Sequence, residues 1–304
     1  MIKKETCGDI TWIDLESPTR EEVRSIVDEY KIQPIVGEEL LSTTVRPKVD
    51  VYDNLIYLIL HFPTVSHTDE NQNEQEIDFI IGKDFFITVH YGQDDILEKS
   101  RKVFGINVIL QQCTLGGHAG FLFFYLIKEL YENLIADLEY IQKELEHIEH
   151  NIFLGKEHTM VFDLSKMTRK LLHFKRAMSQ HQHVLESLES AGADFFPKKF
   201  SYHLRAITGE CYRVLALFDV IKDTVNDLKA TNDSLLATKT NDIIKILTIM
   251  AFITLPVTFL SQLFGMNTTY LPIVGLENDF WIVIGIMALV TLSFFGFFKF
   301  KKWF

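Results

Sequence analysis

The chain has 304 residues, a formal net charge of −11 at pH 7 and three cysteines. The acidic balance argues against nucleic acid as a partner, and the wide spacing of Cys7, Cys113 and Cys211 argues against a disulfide framework. The first residues lack the apolar core of a signal peptide, so we expect the polar part of the chain to stay in the cytosol.

Residues 1–117 have the pattern of a mixed α/β domain. A helix-start signal at residues 17–22 combines a capping residue, an early proline and an acidic first turn. Phosphate loops, nucleophile elbows and Cys/His sets at zinc spacing are missing from the sequence, so we do not expect an enzyme. Period-two patterns predict strands at Asp9–Leu15, Val49–Asp53, Leu55–Phe62, Glu76–Ile81 and Phe85–His90, with a loop at 67–76.

Residues 118–242 are predicted to form a helical hairpin and a long stalk helix. Apolar residues step by four and three from Leu134 to Ile152, and again from Leu164 to Leu188 through His181. A third apolar stripe begins near Ser201. Because no proline interrupts it before the apolar C-terminal region, one helix from Ser201 to Phe264 would be about 95 Å long.

Two uncharged apolar spans close the chain, at Ile246–Phe264 and Phe280–Phe298. Each has about the 20 residues that a helix needs to cross a hydrocarbon core of roughly 30 Å. Lysines flank both spans on the side away from the connecting loop, which predicts cytoplasmic termini. We therefore assign 243–264 and 280–298 to membrane helices, 265–279 to an external loop and 299–304 to a basic cytosolic tail.

One face of the first span gathers most of its polar residues and predicts a pore lining. Another interpretation stays open, in which these side chains hydrogen bond between packed membrane helices. Two helices per chain cannot enclose a pore, so the pore interpretation requires an oligomer. The stripe comprises Asn241, Ile244, Thr248, Ala251, Leu255, Thr258 and Gln262, and the same register continues into the cytosol through Thr238, Ser234, Thr231, Asp227 and Thr224. Asp227 would then form a ring of negative charge.

Several motifs carry a family resemblance. They are Lys239-Thr240-Asn241, Leu247-Thr248-Ile249, Leu255-Pro256-Val257-Thr258-Phe259, Gly265-Met266-Asn267 and the end Lys301-Lys302-Trp303. Together they resemble the CorA family of magnesium transporters. The resemblance implies an α+β membrane protein: a cytosolic α/β domain, a long helical stalk and two C-terminal membrane helices, assembled as a funnel-shaped homopentamer in which the first membrane helix lines the pore.

The resemblance also implies roles for individual residues. Gly265, Met266 and Asn267 would form the selective entrance, where amide and carbonyl oxygens can hold hydrated Mg²⁺ through its waters. Asn241 would form the inner polar ring, while Ile244, Leu247 and Leu255 would form a hydrophobic neck. The helical register places Thr248 nearer the axis than Leu247, and this choice stays open.

Two features depart from the family pattern or cannot be aligned with it. The loop reads Leu271-Pro272-Ile273 where the family commonly has a glutamate after the proline, and Glu277 and Asp279 either replace its attraction for cations or are simply solvated. The family senses intracellular Mg²⁺ through acidic residues between neighbouring subunits. The candidates for this regulatory site here are Glu210, Asp219 and Asp223.

The sequence therefore predicts a magnesium channel of the plasma (inner) membrane that takes up Mg²⁺, with Co²⁺ and Ni²⁺ as further candidate ions. Its expected partners are divalent cations, membrane lipid and further copies of the chain. The alternatives are a zinc transporter of a related branch and a non-conducting membrane-anchored scaffold. His147, His150, His181 and His183 lack a zinc-like pattern, so we expect them to be structural or surface residues.

Overall fold

The computed structural model describes residues 2–7, 9–64, 74–91, 117–267, 273, 275 and 278–301. These form two compact units, Met1–Lys229 and Ala230–Phe304. The predicted loop at 67–76 falls largely outside the described residues, as does Cys113. Each unit is described by itself below.

The first unit contains a six-stranded sheet in the order β1-β2-β6-β5-β4-β3. All neighbouring strands are antiparallel except β2 and β6, which are parallel. The five predicted strands are confirmed within about two residues, and the sheet has one more at its edge. Its strands are β1 (Ile2–Cys7), β2 (Ile10–Glu16), β3 (Lys48–Val51), β4 (Ile56–Pro63), β5 (Glu74–Ile81) and β6 (Phe85–His90).

Helices α1 (Arg20–Tyr30) and α2 (Pro34–Glu39) cover one face of this sheet. The predicted start of α1 is confirmed, because the Thr19 hydroxyl accepts from the Glu22 N–H while the Glu22 carboxylate accepts from the Thr19 N–H. The core beneath the two helices includes Ile13, Leu15, Val23, Ile26, Val36, Leu40, Tyr57, Ile80, Ile87 and Val89.

Helix α3 (Gly120–Phe153) packs on the opposite face, where the Phe123 ring meets those of Phe79 and Phe86 at centroid distances of 5.5 and 6.4 Å. The central strands β4, β5 and β6 are thus buried on both faces, and β4 is buried along its whole length. Helix α4 (Glu157–Met178) returns along α3, as the heptad spacing predicts.

The second predicted helix of the hairpin is interrupted in the structure. Helix α4 ends at Met178, and a separate helix α5 (His181–Ala191) follows after Ser179 and Gln180. The apolar spacing continues across this interruption, so it gave no sign of a break. A 3₁₀ turn at Lys198–Phe200 leads into the next helix.

Helix α6 runs from Ser201 to Phe264, as predicted, and Pro256 does not end it. Its part within the first unit buries the predicted apolar stripe from Leu204 to Leu228. In the second unit, α6 and α7 (Asp279–Phe300) are each long and apolar enough to cross a membrane. Most of their large apolar side chains are exposed in the single chain, which is the surface that lipid or further protein must cover.

Candidate functional site

The Gly-Met-Asn motif lies where α6 ends. The Gly265 N–H donates to the carbonyls of Ser261 and Gln262 at 3.0 and 3.2 Å, and the Met266 N–H donates to Leu263 O at 3.4 Å. These bonds satisfy carbonyls of the last helical turn, which the helix itself leaves without donors. Asn267 follows directly and is exposed, so its amide is presented just beyond the end of the span.

The polar stripe lies on the more exposed face of the span. Ile249 is only 3% exposed, and Phe252 contacts Phe298 of α7 at 6.3 Å between ring centroids. At 3.6 residues per turn, the α6 residues with reduced exposure centre on a face roughly opposite the stripe. They are Ile249, Ile253, Pro256, Val257, Leu260 and Phe264, whereas Asn241, Ile244, Ala251, Leu255, Thr258 and Gln262 are exposed and Thr248 is half-buried.

The hydroxyl groups in this region bond to their own helix. Thr248 Oγ1 donates to Ile244 O at 2.7 Å, and Thr258 Oγ1 donates to Thr254 O at 2.9 Å. A hydroxyl that donates in this way still has lone pairs to offer to water or a hydrated ion. The same bonds also let threonine face an apolar environment, so the amides of Asn241, Gln262 and Asn267 are the stronger polar feature.

Leu247 and Thr248 flank the centre of the stripe on either side. Leu247 is 59% exposed in the single chain, and Thr248 is half-buried. By helical geometry Thr248 is the nearer to the centre, as the register predicts. Which of them faces an axis depends on how copies of α6 pack, and it stays a prediction.

The acidic candidates for regulation lie along α6 in the first unit. Asp219 and Asp223 are both near Lys222, with Nζ–Oδ1 distances of 3.3 and 3.9 Å, and Glu210 pairs with Arg213 at 3.6 Å. Asp227 is exposed on the same helix. Within the described ranges, no group of three His, Cys, Asp or Glu side chains could hold a metal ion.

The loop acid Asp279 has a local structural role. Its carboxylate accepts from the Gly275 N–H at 3.2 Å and from the Phe280 N–H at 2.7 Å. Asp279 thus holds the loop against the first turn of α7, where a carboxylate also complements the helix dipole. Leu271, Pro272 and Glu277 lie outside the described residues, so the remainder of this prediction stands as made.

The sequence analysis missed a polar cluster inside the sheet. Glu76 and Asp78 occupy alternate positions of β5 and are 6% and 0% exposed. His61 and Tyr57 on β4 are buried beside them, and the Tyr57 hydroxyl donates to Asp78. The available signal was three acids at alternate positions, Glu74, Glu76 and Asp78, on a strand that ends in apolar residues, since alternate residues share one face of a sheet.

Known metal-ion transport proteins are similar to this chain in sequence and in architecture. The cobalt/magnesium transport protein CorA of Thermotoga maritima is 25% identical over 296 residues, covering 96% of this chain and 83% of that protein. The putative metal ion transporter YfjQ of Bacillus subtilis is 24% identical, with 96% and 89% covered.

The solved structure of the CorA magnesium transporter from Methanocaldococcus jannaschii superposes with a TM-score of 0.82 at 18% identity, covering 97% of this chain and 92% of that one. It has the same fold: an N-terminal α/β domain, a long helix and two C-terminal apolar helices. The model of the CorA-like Mg²⁺ transporter protein family matches residues 8–302. The chain therefore belongs to the CorA-like Mg²⁺ transporter family.

Proposed function

We propose that this protein is a homopentameric channel that takes up Mg²⁺ across the plasma (inner) membrane, with both termini in the cytoplasm. The observation that carries this proposal is the exposed polar stripe of α6, which lies opposite the residues of reduced exposure on that helix and leads to Asn267 at its end. If α6 from each copy faced a common axis, the stripe would line a pore and α7 would face lipid.

The entrance chemistry fits a hydrated ion. Mg²⁺ dehydrates reluctantly and prefers oxygen ligands in octahedral geometry. A ring of Asn267 amides at the mouth would hold the ion through its waters, and neutral oxygens would release it more readily than carboxylates. A Cβ at Gly265 would lie 3.2 Å from the Ser261 carbonyl oxygen, so glycine fits the close final turn, and Met266, at 52% exposure, would line the same mouth.

The driving force is the membrane potential. An inside-negative potential supplies about 4.6 kcal/mol per 100 mV for a doubly charged ion, so inward flow needs no coupled chemistry. We propose that the protein acts as a transporter and not as an enzyme. Lys299 in the last turn of α7 and Lys301 directly after it support a cytoplasmic C-terminus by the positive-inside rule.

We also propose that intracellular Mg²⁺ regulates the channel through acids of α6 at contacts between copies. Glu210, Asp219 and Asp223 are the candidates, and bound cations there would screen repulsion between chains. Asp219 and Asp223 share a single neighbouring lysine, Lys222, so together they keep an excess of negative charge. Wild-type protein and the Asp219→Asn and Asp223→Asn variants should then differ in how internal Mg²⁺ inhibits influx, and coinciding inhibition curves would remove these two residues from the proposal.

The test is ion influx into liposomes that contain purified protein and a magnesium-sensitive dye. We expect Mg²⁺ influx with the wild type and a loss of at least tenfold with Asn267→Ala. Asn278→Ala is the matched control, since Asn278 lies at the other end of the same loop and makes no capping side-chain bond. Zn²⁺ and Co²⁺ are tested in parallel.

Each outcome has a defined meaning. Influx of Zn²⁺ but not Mg²⁺ would favour the related zinc branch. No influx of any ion from an intact oligomer would favour a membrane-anchored scaffold. Equal Mg²⁺ influx in the Asn267→Ala and wild-type proteins would remove Asn267 from the selectivity element.

A further inference from the structure

A pair of buried carboxyl groups in the α/β domain is not used by the ion pathway. Glu76 and Asp78 are two residues apart on β5, so both side chains point to the sheet face that α1 and α2 cover. Asp78 is 0% exposed and Glu76 is 6% exposed. A buried charge is stable only with partners, so the two groups can be compared by what surrounds each.

Glu76 has the partners of an ionised carboxylate. Its Oε2 accepts from the Thr44 N–H at 2.7 Å, and its Oε1 accepts from the Thr44 hydroxyl at 3.1 Å. The His61 Nε2 atom lies 3.2 Å from Oε2. The two Thr44 donors satisfy both oxygens and tie β5 to the segment between α2 and β3, whereas His61 Nε2 makes no hydrogen bond to a residue that the structure describes.

Asp78 is partnered on one oxygen only. Its Oδ2 accepts from the hydroxyls of Tyr57 and Tyr91 at 3.0 and 3.3 Å. Its Oδ1 is buried and has no hydrogen-bond donor. The side chain adjacent to Asp78 on its own strand is the Glu76 carboxyl, which is an acceptor when ionised.

Among the residues that the structure describes, the cations near this site are engaged by other acids. Lys48 pairs with Glu39 and Asp50 at 2.7 and 2.8 Å, and Arg176 of α4 pairs with Glu74 at 3.1 Å. The titratable and charged groups that surround the pair are Glu74 on β5, Tyr57 and His61 on β4, Tyr91 after β6, Glu39 and Lys48 from the α2–β3 region, and Arg176 on α4.

We propose that Asp78 and Glu76 form a proton-binding site, in which Asp78 is a neutral acid at neutral pH and donates its proton from Oδ1 to the Glu76 carboxylate. The shared proton gives the unpartnered oxygen a bond and removes one of two adjacent buried charges. Burial and the neighbouring Glu76 both raise the pKa of Asp78 well above its ordinary value, although the two tyrosine hydroxyls oppose this shift.

The shared proton makes this sheet region sensitive to alkaline pH. Loss of the proton would leave two carboxylates facing each other in a dry site. The least costly relief is movement of Glu76 away from Asp78, which would break its bonds to Thr44. The segment between α2 and β3 would then be released as the pH rises. This inference concerns the cytosolic domain and does not depend on ion conduction.

Infrared spectroscopy of the full-length protein in nanodiscs tests the proposal. We expect the wild type at neutral pH to show the carbonyl stretch of a protonated carboxylic acid, shifted in heavy water, and Asp78→Asn to lack that band. Glu74→Gln is the matched control because Glu74 is the most exposed of the three acids on β5, and it should retain the band.

Glu76→Gln provides a second, independent measurement. The amide that this substitution introduces would itself donate to Asp78, so the acid no longer needs its proton and the band should be lost although Asp78 remains. The band persisting in both Asp78→Asn and Glu76→Gln would overturn the proposal. A wild-type spectrum with no protonated-acid band at neutral pH would overturn it as well.

Discussion

At the scale of single residues, His181 joins the sheet to the helices through both ring nitrogens. Its Nε2 is 2.8 Å from the carbonyl of His61, and its Nδ1 is 2.8 Å from the Tyr131 hydroxyl. A carbonyl only accepts, so Nε2 carries the proton and Nδ1 accepts from Tyr131. The imidazole is therefore neutral and fully buried, and complete burial lowers its pKa to about 4.

This pKa predicts an acid-sensitive contribution to stability. Between the ordinary pKa of 6.5 and the folded pKa of about 4, the unfolded chain binds a proton at His181 that the folded chain does not. The stabilisation is complete above pH 6.5 and falls by about 3 kcal/mol as the pH drops towards 4. Urea unfolding of wild type and His181→Gln across this range should show a weaker pH dependence in the variant, and identical slopes would contradict the assignment.

At the scale of elements, the helical seam of the first unit is held by stacked aromatic rings. The Phe174 ring of α4 stacks on the Phe218 ring of α6 with a centroid distance of 5.5 Å and an interplanar angle of 7°. Both side chains are buried. Removal of either ring would leave a cavity between two long helices that cannot close locally.

The seam therefore predicts a large loss of stability from one substitution. Phe174→Ala should lower the free energy of unfolding by about 3–5 kcal/mol. Leu172→Ala is the control, because Leu172 is 64% exposed on the same helix and should change stability by less than about 0.5 kcal/mol. Denaturant unfolding of the detergent-solubilised protein measures both, and equal effects would show that the seam does not carry the stability.

The same elements show what sequence patterns can and cannot predict. The stripe from Leu204 to Leu228 and the end of α6 at Phe264 followed from spacing, because a long helix repeats its signal many times. Strand β1 was missed since it is a largely exposed edge strand that buries little apolar surface. Helix α2 was missed because six residues give too few turns for a periodic pattern.

Two tertiary features left no trace in the spacing. The break between α4 and α5 keeps the three-and-four step through Met178 and His181, yet it places His181 against the His61 carbonyl. The Glu76–Asp78 cluster depends on pairing between strands that the sequence predicts only approximately. For the candidate ion pathway, the stripe of α6 was predicted from the helical spacing of polar residues, whereas the role of Asn267 was predicted from the family resemblance.

At the scale of the whole molecule, the polar stripe separates a conducting assembly from a scaffold. Thr258 and Gln262 are exposed and lie opposite the less exposed face of α6. In a scaffold, leucine at these positions would be neutral or stabilising, since lipid and packed helices accept apolar side chains. In a channel, leucine would remove side-chain oxygens that replace part of the hydration shell of the passing ion.

We therefore expect Thr258→Leu and Gln262→Leu each to reduce Mg²⁺ influx several-fold without lowering the thermal midpoint. Met250→Leu is the control, because Met250 is exposed on the same helix but lies well away from the stripe at 3.6 residues per turn. Dye-loaded liposomes report influx, and a thermal scan reports folding. Unchanged influx in both stripe variants would assign the stripe to helix packing instead.

The central claim, a passive Mg²⁺ pathway through this chain, is tested most directly by Mg²⁺ influx into protein-containing liposomes at a fixed concentration gradient and a set membrane potential, without nucleotide. The proposal predicts influx that rises as the interior is made more negative, because each 100 mV adds about 4.6 kcal/mol for a divalent ion. Influx that requires nucleotide, or that does not respond to potential, would contradict it.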